Sequence, residues 1–218
     1  MSMAEMVRNF SPDTAGWLFM WILLATAMFM VAIAVERVLY IRKRGSLDAH
    51  RFAAEIRKLV GQGEYDKALR LCEASEDKPL AHVLAAGLRK IVQGKSTDPR
   101  AVQNAVDEGA LEVIPKLQER TGYLATIANV ATLIGLMGTI YGLIIAFRSI
   151  SAPGIDPTEK ARLLAAGIST AMNTTLLGLL IAVPAVLVYT YITNRTTRII
   201  DEIDEHTVKF VNLLTERQ

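Results

Sequence analysis

Three long runs free of Asp, Glu, Lys, Arg and His interrupt an otherwise mixed chain. The first is Ala15 to Val35, AGWLFMWILLATAMFMVAIAV, closed by Glu36-Arg37. The second is Thr121 to Phe147, and the third is Leu163 to Asn194. At about 1.5 Å rise per residue, a hydrocarbon core of about 30 Å needs roughly 20 residues of helix. All three runs reach that length and the last two exceed it, so their excess is expected to continue as helix on one side of the bilayer. A cleaved signal peptide competes for the first run, because Ala32-Ile33-Ala34 imitates a cleavage site. The run is longer than a typical h-region and follows Glu5 and Asp13 rather than a basic cluster, so it is read as a retained anchor.

Between the first two runs the apolar residues fall at helical spacing. Phe52, Ile56 and Leu59 mark one short helix, and Tyr65, Ala68, Leu69 and Cys72 another. Leu80, Val83, Leu84 and Ile91 mark a third, and Val102, Val106, Leu111, Ile114 and Leu117 a fourth. Breakers separate them at Gly61-Gln62-Gly63, Asp77-Lys78-Pro79 and Gly94 to Pro99. Pro115 is expected to kink the fourth helix just before the second run. After Asn194, Ile199, Ile203, Phe210 and Leu214 share a face, which extends the third run as a solvated or packed helix.

Composition agrees with the pattern: half of the residues are hydrophobic, yet they are clumped and aromatics are few. The net charge of +2 and the lack of a basic stripe interleaved with aromatics argue against nucleic acid as a partner. Cys72 is the single cysteine, so an intrachain disulfide is excluded. His50, His82 and His206 are far apart in sequence and have no nearby cysteine ligands, so no metal site is expected. No cofactor is read from the chain.

Orientation follows from Lys and Arg near the span ends. Arg37, Arg42, Lys43, Arg44, Arg51, Lys116, Arg120, Arg195, Arg198 and Lys209 lie on one side, against Arg8, Arg148, Lys160 and Arg162 on the other. The expected layout is an external N-terminal segment 1–14, span one at 15–36 and a cytoplasmic helical domain at 37–120. Span two at 121–147, an external loop at 148–162 with Pro153-Gly154 and Pro157, span three at 163–194 and a cytoplasmic helix at 195–218 complete it. The fold class is an all-α membrane protein with three transmembrane helices.

The spans differ in chemistry. Span one is bulky and has only Thr26 as a polar residue in its middle. In span two Ala131, Gly135, Gly138, Gly142 and Ala146 recur every three or four residues, and Gly167, Ala171, Thr175, Gly178, Ala182 and Ala185 do so in span three. Small residues in a stripe let helix backbones approach closely in lipid, which needs no function beyond packing. The polar residues say more. Span two carries Thr126, Asn129, Thr132 and Thr139, and span three clusters Ser169, Thr170, Asn173, Thr174 and Thr175. A lone Ser or Thr often bonds only its own helix, but Asn173 among four hydroxyls points to the bundle interior or a wet cavity. A proton relay normally needs an ionisable group at membrane depth, and none of Asp, Glu, His, Lys or Arg lies in spans two and three. Either the chain is no channel, or a partner helix brings a carboxylate.

Leu124 to Phe147, LATIANVATLIGLMGTIYGLIIAF, resembles the second span of the MotA/TolQ/ExbB proton-channel family, and Gly167 to Tyr189, GISTAMNTTLLGLLIAVPAVLVY, resembles its third. GLMGTIYG and TTLLGLLIAVPAV carry most of the likeness, and three spans bring it nearer to the ExbB/TolQ branch than to four-span MotA stators. The resemblance implies a homopentamer in the bacterial inner membrane whose second and third spans line a pore. It also implies two copies of an ExbD/TolR-like single-span partner, each with a transmembrane Asp, whose rearrangement as protons pass does work in the envelope. TonB-type import, Tol-type maintenance and gliding-type motility all use such machines. The family's pore threonines fall on Thr139 and Thr175, with Thr132, Thr170, Asn173 and Thr174 beside them. Gly135, Gly138, Gly142, Gly167, Gly178 and Pro184 are expected to serve helix packing. Two departures are visible: ExbB proteins carry Glu where this chain has Thr170, and many relatives have Pro where Thr132 stands. An enzyme is not expected, since an intramembrane protease needs His within its spans. A secondary transporter would show repeated halves. A passive oligomeric scaffold is the competing reading.

Overall fold

The computed structural model describes residues 10–12, 14, 16–45, 48–94, 98–151, 154 and 156–215. Most of the expected external segment 1–14, together with Pro153, lies outside these residues. Among the described residues seven helices follow one another: α1 (Trp17–Arg44), α2 (Ala49–Gly61), α3 (Tyr65–Ala74), α4 (Pro79–Gly94), α5 (Pro99–Gln118), α6 (Thr121–Ile150) and α7 (Pro157–Thr215). No strand occurs among the described residues. The stretches containing α1, α6 and α7 are each long and apolar enough to cross a membrane. The chain divides into two compact units, one formed by residues 1–36 and 120–190, the other by 37–119 and 191–218.

The first unit holds the apolar parts of α1 and α7 and the whole of α6. On α6 the small residues turn inward: Ala131, Gly135, Gly138, Gly142 and Ala146 are all buried. The large ones turn outward, with Leu133, Leu136, Met137, Ile140, Ile144 and Phe147 exposed. α7 repeats the arrangement, with Ala171, Ala182 and Ala185 buried and Met172, Leu180, Val183 and Leu187 exposed. A soluble protein would hide such faces; here they suit a bilayer or further protein. α1 buries Met20, Leu23, Met30 and Ile33 and exposes Trp21, Met28, Phe29 and Val31. Thr26 bonds only its own helix, at Ile22 O (2.8 Å). Glu36 and Arg120 form an exposed ion pair of 2.9 Å.

The second unit is a helical domain with its own core. Asp48 caps α2 by accepting from Arg51 N, and Asp98 caps α5 by accepting from Arg100 N. Pro99 follows at the first helical position, where its missing N–H costs nothing. Gly63 turns the chain between α2 and α3 at φ +80°, a conformation that glycine adopts without a Cβ penalty. Phe52, Ile56 and Val60 of α2, Leu84 and Leu88 of α4 and Ile203, Phe210 and Leu214 of α7 are buried. The end of α7 is therefore packed rather than solvated.

One expectation is corrected. Leu111 is 76% exposed. The buried stripe of α5 runs through Val102, Val106, Gly109, Val113 and Leu117, and Leu111 lies two residues, about 200° of helical rotation, from Gly109. Pro115 lies inside α5, which continues through it to Gln118, and Glu119 N donates to Pro115 O at 2.8 Å. The break falls at Arg120, which is left-handed at φ 59°.

Candidate functional site: a hydroxyl cluster between two apolar helices

Three of the expected polar residues, Thr139, Thr174 and Thr175, lie where α6 and α7 pack against each other, and glycine makes the approach possible. A Cβ on Gly178 would sit 2.6 Å from Ala131 O, and one on Gly138 would sit 2.7 Å from Thr174 Cβ. Gly135 faces the backbone of Thr174 and Thr175, and Gly142 faces Ala171. Gly167 meets Ala146, where an added Cβ would come within 2.4 Å of the alanine methyl. Pro184 is different. It lies on an exposed face of α7, which continues through it. The seam residues Ala182 and Ala185 set the register, and Pro184 is turned about 100° from Ala185.

Into this seam α7 sends two hydroxyls. Thr175 Oγ1 lies 2.9 Å from Gly135 O, and Thr139 Oγ1 lies 3.1 Å from Thr175 Oγ1. Thr139 Oγ1 also reaches Leu136 O at 2.7 Å, while Thr174 Oγ1 reaches Ala171 O at 2.7 Å and Gly135 O at 3.3 Å. Each hydroxyl has one proton and two lone pairs. Thr139 and Thr175 each have more than one acceptor in reach and are only half-buried. The pair is therefore rich in acceptor capacity, which suits an additional donor brought from outside the chain.

The remaining candidates separate by position. Asn173 and Thr174 are buried within the first unit, at 5% and 1% exposure. Thr132 is exposed and donates to Ala128 O of its own helix at 3.0 Å; Thr170 is half-buried and does the same to Ala166 O at 3.0 Å. Neither touches the Thr139–Thr175 pair.

Sequence reasoning missed Arg37. It is 3% exposed, and its guanidinium donates to Leu117 O and stacks 4.7 Å from the Tyr40 ring centroid. Those contacts tie α1 to the last turn of α5 within the second unit, where a cation also complements the helix dipole. The structure also brings His50 and His206 together, with ring centroids 5.0 Å apart. Burial pushes the His206 imidazole below its ordinary value, favouring the neutral ring. Burial likewise pushes the Cys72 thiol up to about 12. The hydrogen bonds of Glu76 and Glu73 hold the Arg89 guanidinium charged above its ordinary value, across 2.8 and 3.3 Å.

The fold and this seam define a class: a helical membrane protein with three candidate spans, two of which pack glycine against threonine and carry no charge. Residues 75–205, more than half of the chain, match the family model described as the MotA/TolQ/ExbB proton channel family. The chain belongs to that family. It is similar to the biopolymer transport protein exbB1 of Vibrio cholerae, 30% identical over 72% of this chain and 72% of the relative. It is similar also to the biopolymer transport protein ExbB of Aquifex aeolicus, 30% identical over 51% of this chain and 70% of the relative. The Tol-Pal system protein TolQ of Haemophilus influenzae is 28% identical over 61% of this chain and 58% of the relative. The match therefore takes in less than two thirds of that TolQ.

Proposed function

We propose that this chain is the multi-copy, pore-lining subunit of a proton-driven motor in the bacterial inner membrane. It works as a homopentamer with an ExbD/TolR-like partner. The observation that carries the reading is the Thr139–Thr175 hydroxyl pair at 3.1 Å, set between apolar runs of α6 and α7 that hold no Asp, Glu, His, Lys or Arg. Hydroxyls accept a proton-bearing group and donate to a charged one, but they do not store charge at membrane depth. A partner's transmembrane Asp supplies that charge. As a neutral acid it donates to the pair; as a carboxylate it accepts from it. The change in partner geometry between those states is what transmits work, to a TonB-type, Tol-type or gliding-type machine.

The names of the relatives, biopolymer transport and Tol-Pal, support the envelope setting. In this reading spans two and three are the apolar parts of α6 and α7, the N-terminus is external and the C-terminus is cytoplasmic. A passive scaffold would rest on the small-residue stripes, yet those stripes are occupied by contacts within one chain, which favours the conducting reading.

Thr175→Val tests it. Valine keeps the shape and removes the hydroxyl, so the complex should assemble with its partner while proton-driven output falls several-fold. Loss of the bond between helices costs about 0.6 kcal/mol in a membrane, too little to prevent folding. Undiminished output from an assembled Thr175→Val complex would sink the pore assignment.

A further inference from the structure

His206 poses a problem that the hydroxyl seam does not address. It sits in the last part of α7 at 1% exposure, and neither ring nitrogen has a hydrogen-bond partner among the described residues. Buried polar groups are ordinarily hydrogen-bonded or coordinated, so an imidazole with both nitrogens unpaired raises the question of what completes it. The second imidazole beside it, His50, is the second residue of α2 and is exposed. Its ring lies edge-on to that of His206, at 89°. Glu205 lies next to both. One nitrogen from each histidine and one oxygen from Glu205 fall within 4.8 Å of one another.

We infer that His50, Glu205 and His206 form a binding site for a divalent transition-metal ion of the zinc type. Two imidazoles and one carboxylate are a borderline donor set that favours zinc and its neighbours over magnesium or calcium, which prefer oxygen ligands throughout. Tetrahedral coordination at about 2.0–2.1 Å places two nitrogens roughly 3.3 Å apart. His206 is fixed by burial, whereas His50 and Glu205 are exposed and have the rotational freedom to close the remaining distance. The Glu205 carboxylate is shared with Lys209, which must release it. Three protein ligands leave a fourth position for water or another group. All three ligands belong to the second unit, so the ion would clamp the start of α2 to the end of α7. The site is independent of the proton reading.

The test uses the full chain, free of any histidine tag, purified in detergent, stripped with a chelator and titrated with Zn2+ alone. One zinc per chain should bind, and Co2+ in its place should give the visible absorption of a tetrahedral site. His50→Ala removes an exposed ligand and should weaken binding by at least about tenfold; Glu205→Gln should weaken it as well. His82 pairs with Glu112 at 3.2 Å, away from the site, so His82→Ala should bind as the parent does. Absence of stoichiometric zinc, unchanged affinity in His50→Ala, or an equal loss in His82→Ala would each overturn the assignment.

Discussion

Burial changes the chemistry of single side chains in this molecule in ways that can be measured directly. Cys72 is fully buried on α3, and its thiol stays protonated up to about 12 against an ordinary 9.0. Its thiolate, the nucleophilic form, is therefore about a thousandfold scarcer at pH 8 than in an unfolded chain. Maleimide labelling at pH 8 should be that much slower in the folded protein than after denaturation; fast labelling of folded protein would contradict the packing around α3. Linkage gives the sign for stability. Above pH 9 the unfolded chain gives up this proton and the folded chain keeps it, so the second unit loses stability as pH rises from about 9 towards 12. The hydrophobic setting of Cys72 was legible, because Tyr65, Ala68, Leu69 and Cys72 share a helical period. Arg37 was not. Its burial depends on carbonyls at Lys116 and Leu117, which no local pattern places beside it.

At the scale of elements, α6 and α7 owe their contact to missing side chains. A methyl at Gly178 would press on Ala131 O, which is backbone and cannot turn aside. Gly122, the second residue of α6, has nothing within 4 Å of an added Cβ. Gly178→Ala should therefore destabilise the first unit by about 1–3 kcal/mol, while Gly122→Ala should be neutral or slightly stabilising, since alanine is the better helix former. Thermal unfolding in detergent separates the two, and equal behaviour would deny the close approach of these helices. This seam was readable in advance because small residues recur every three or four positions, and a helix turns that spacing into a stripe. The role of individual residues was less readable. Thr174 and Thr175 are neighbours in sequence, yet one is enclosed and the other reaches Thr139 at the edge of the seam. Leu111 failed for the opposite reason: an apolar residue off the buried stripe looks like part of it until the register is known. His50 and His206 meet only because α7 returns across α2, a tertiary fact that neither segment encodes alone.

For the whole molecule, the decisive property is where charge is missing. The apolar runs on α1, α6 and α7 contain no Asp, Glu, His, Lys or Arg, while the arginine and lysine pairs with acids are gathered outside them. An ion crossing such helices would find threonine hydroxyls already engaged with backbone carbonyls, and an unpaired charge at the bilayer centre costs at least about 2.5–3.5 kcal/mol. The purified chain reconstituted alone in liposomes should therefore stay close to the proton leak of empty vesicles under an imposed pH gradient. Adding a single-span partner that carries a transmembrane Asp should raise the flux, and replacing that Asp by Asn should abolish the increase. Thr175→Val in this chain should lower the flux of the complete assembly without altering the baseline of the chain alone. Robust proton flux without any partner would mean that the hydroxyl pair conducts by itself, through water the seam admits, and the division of the pathway between two proteins would have to be given up.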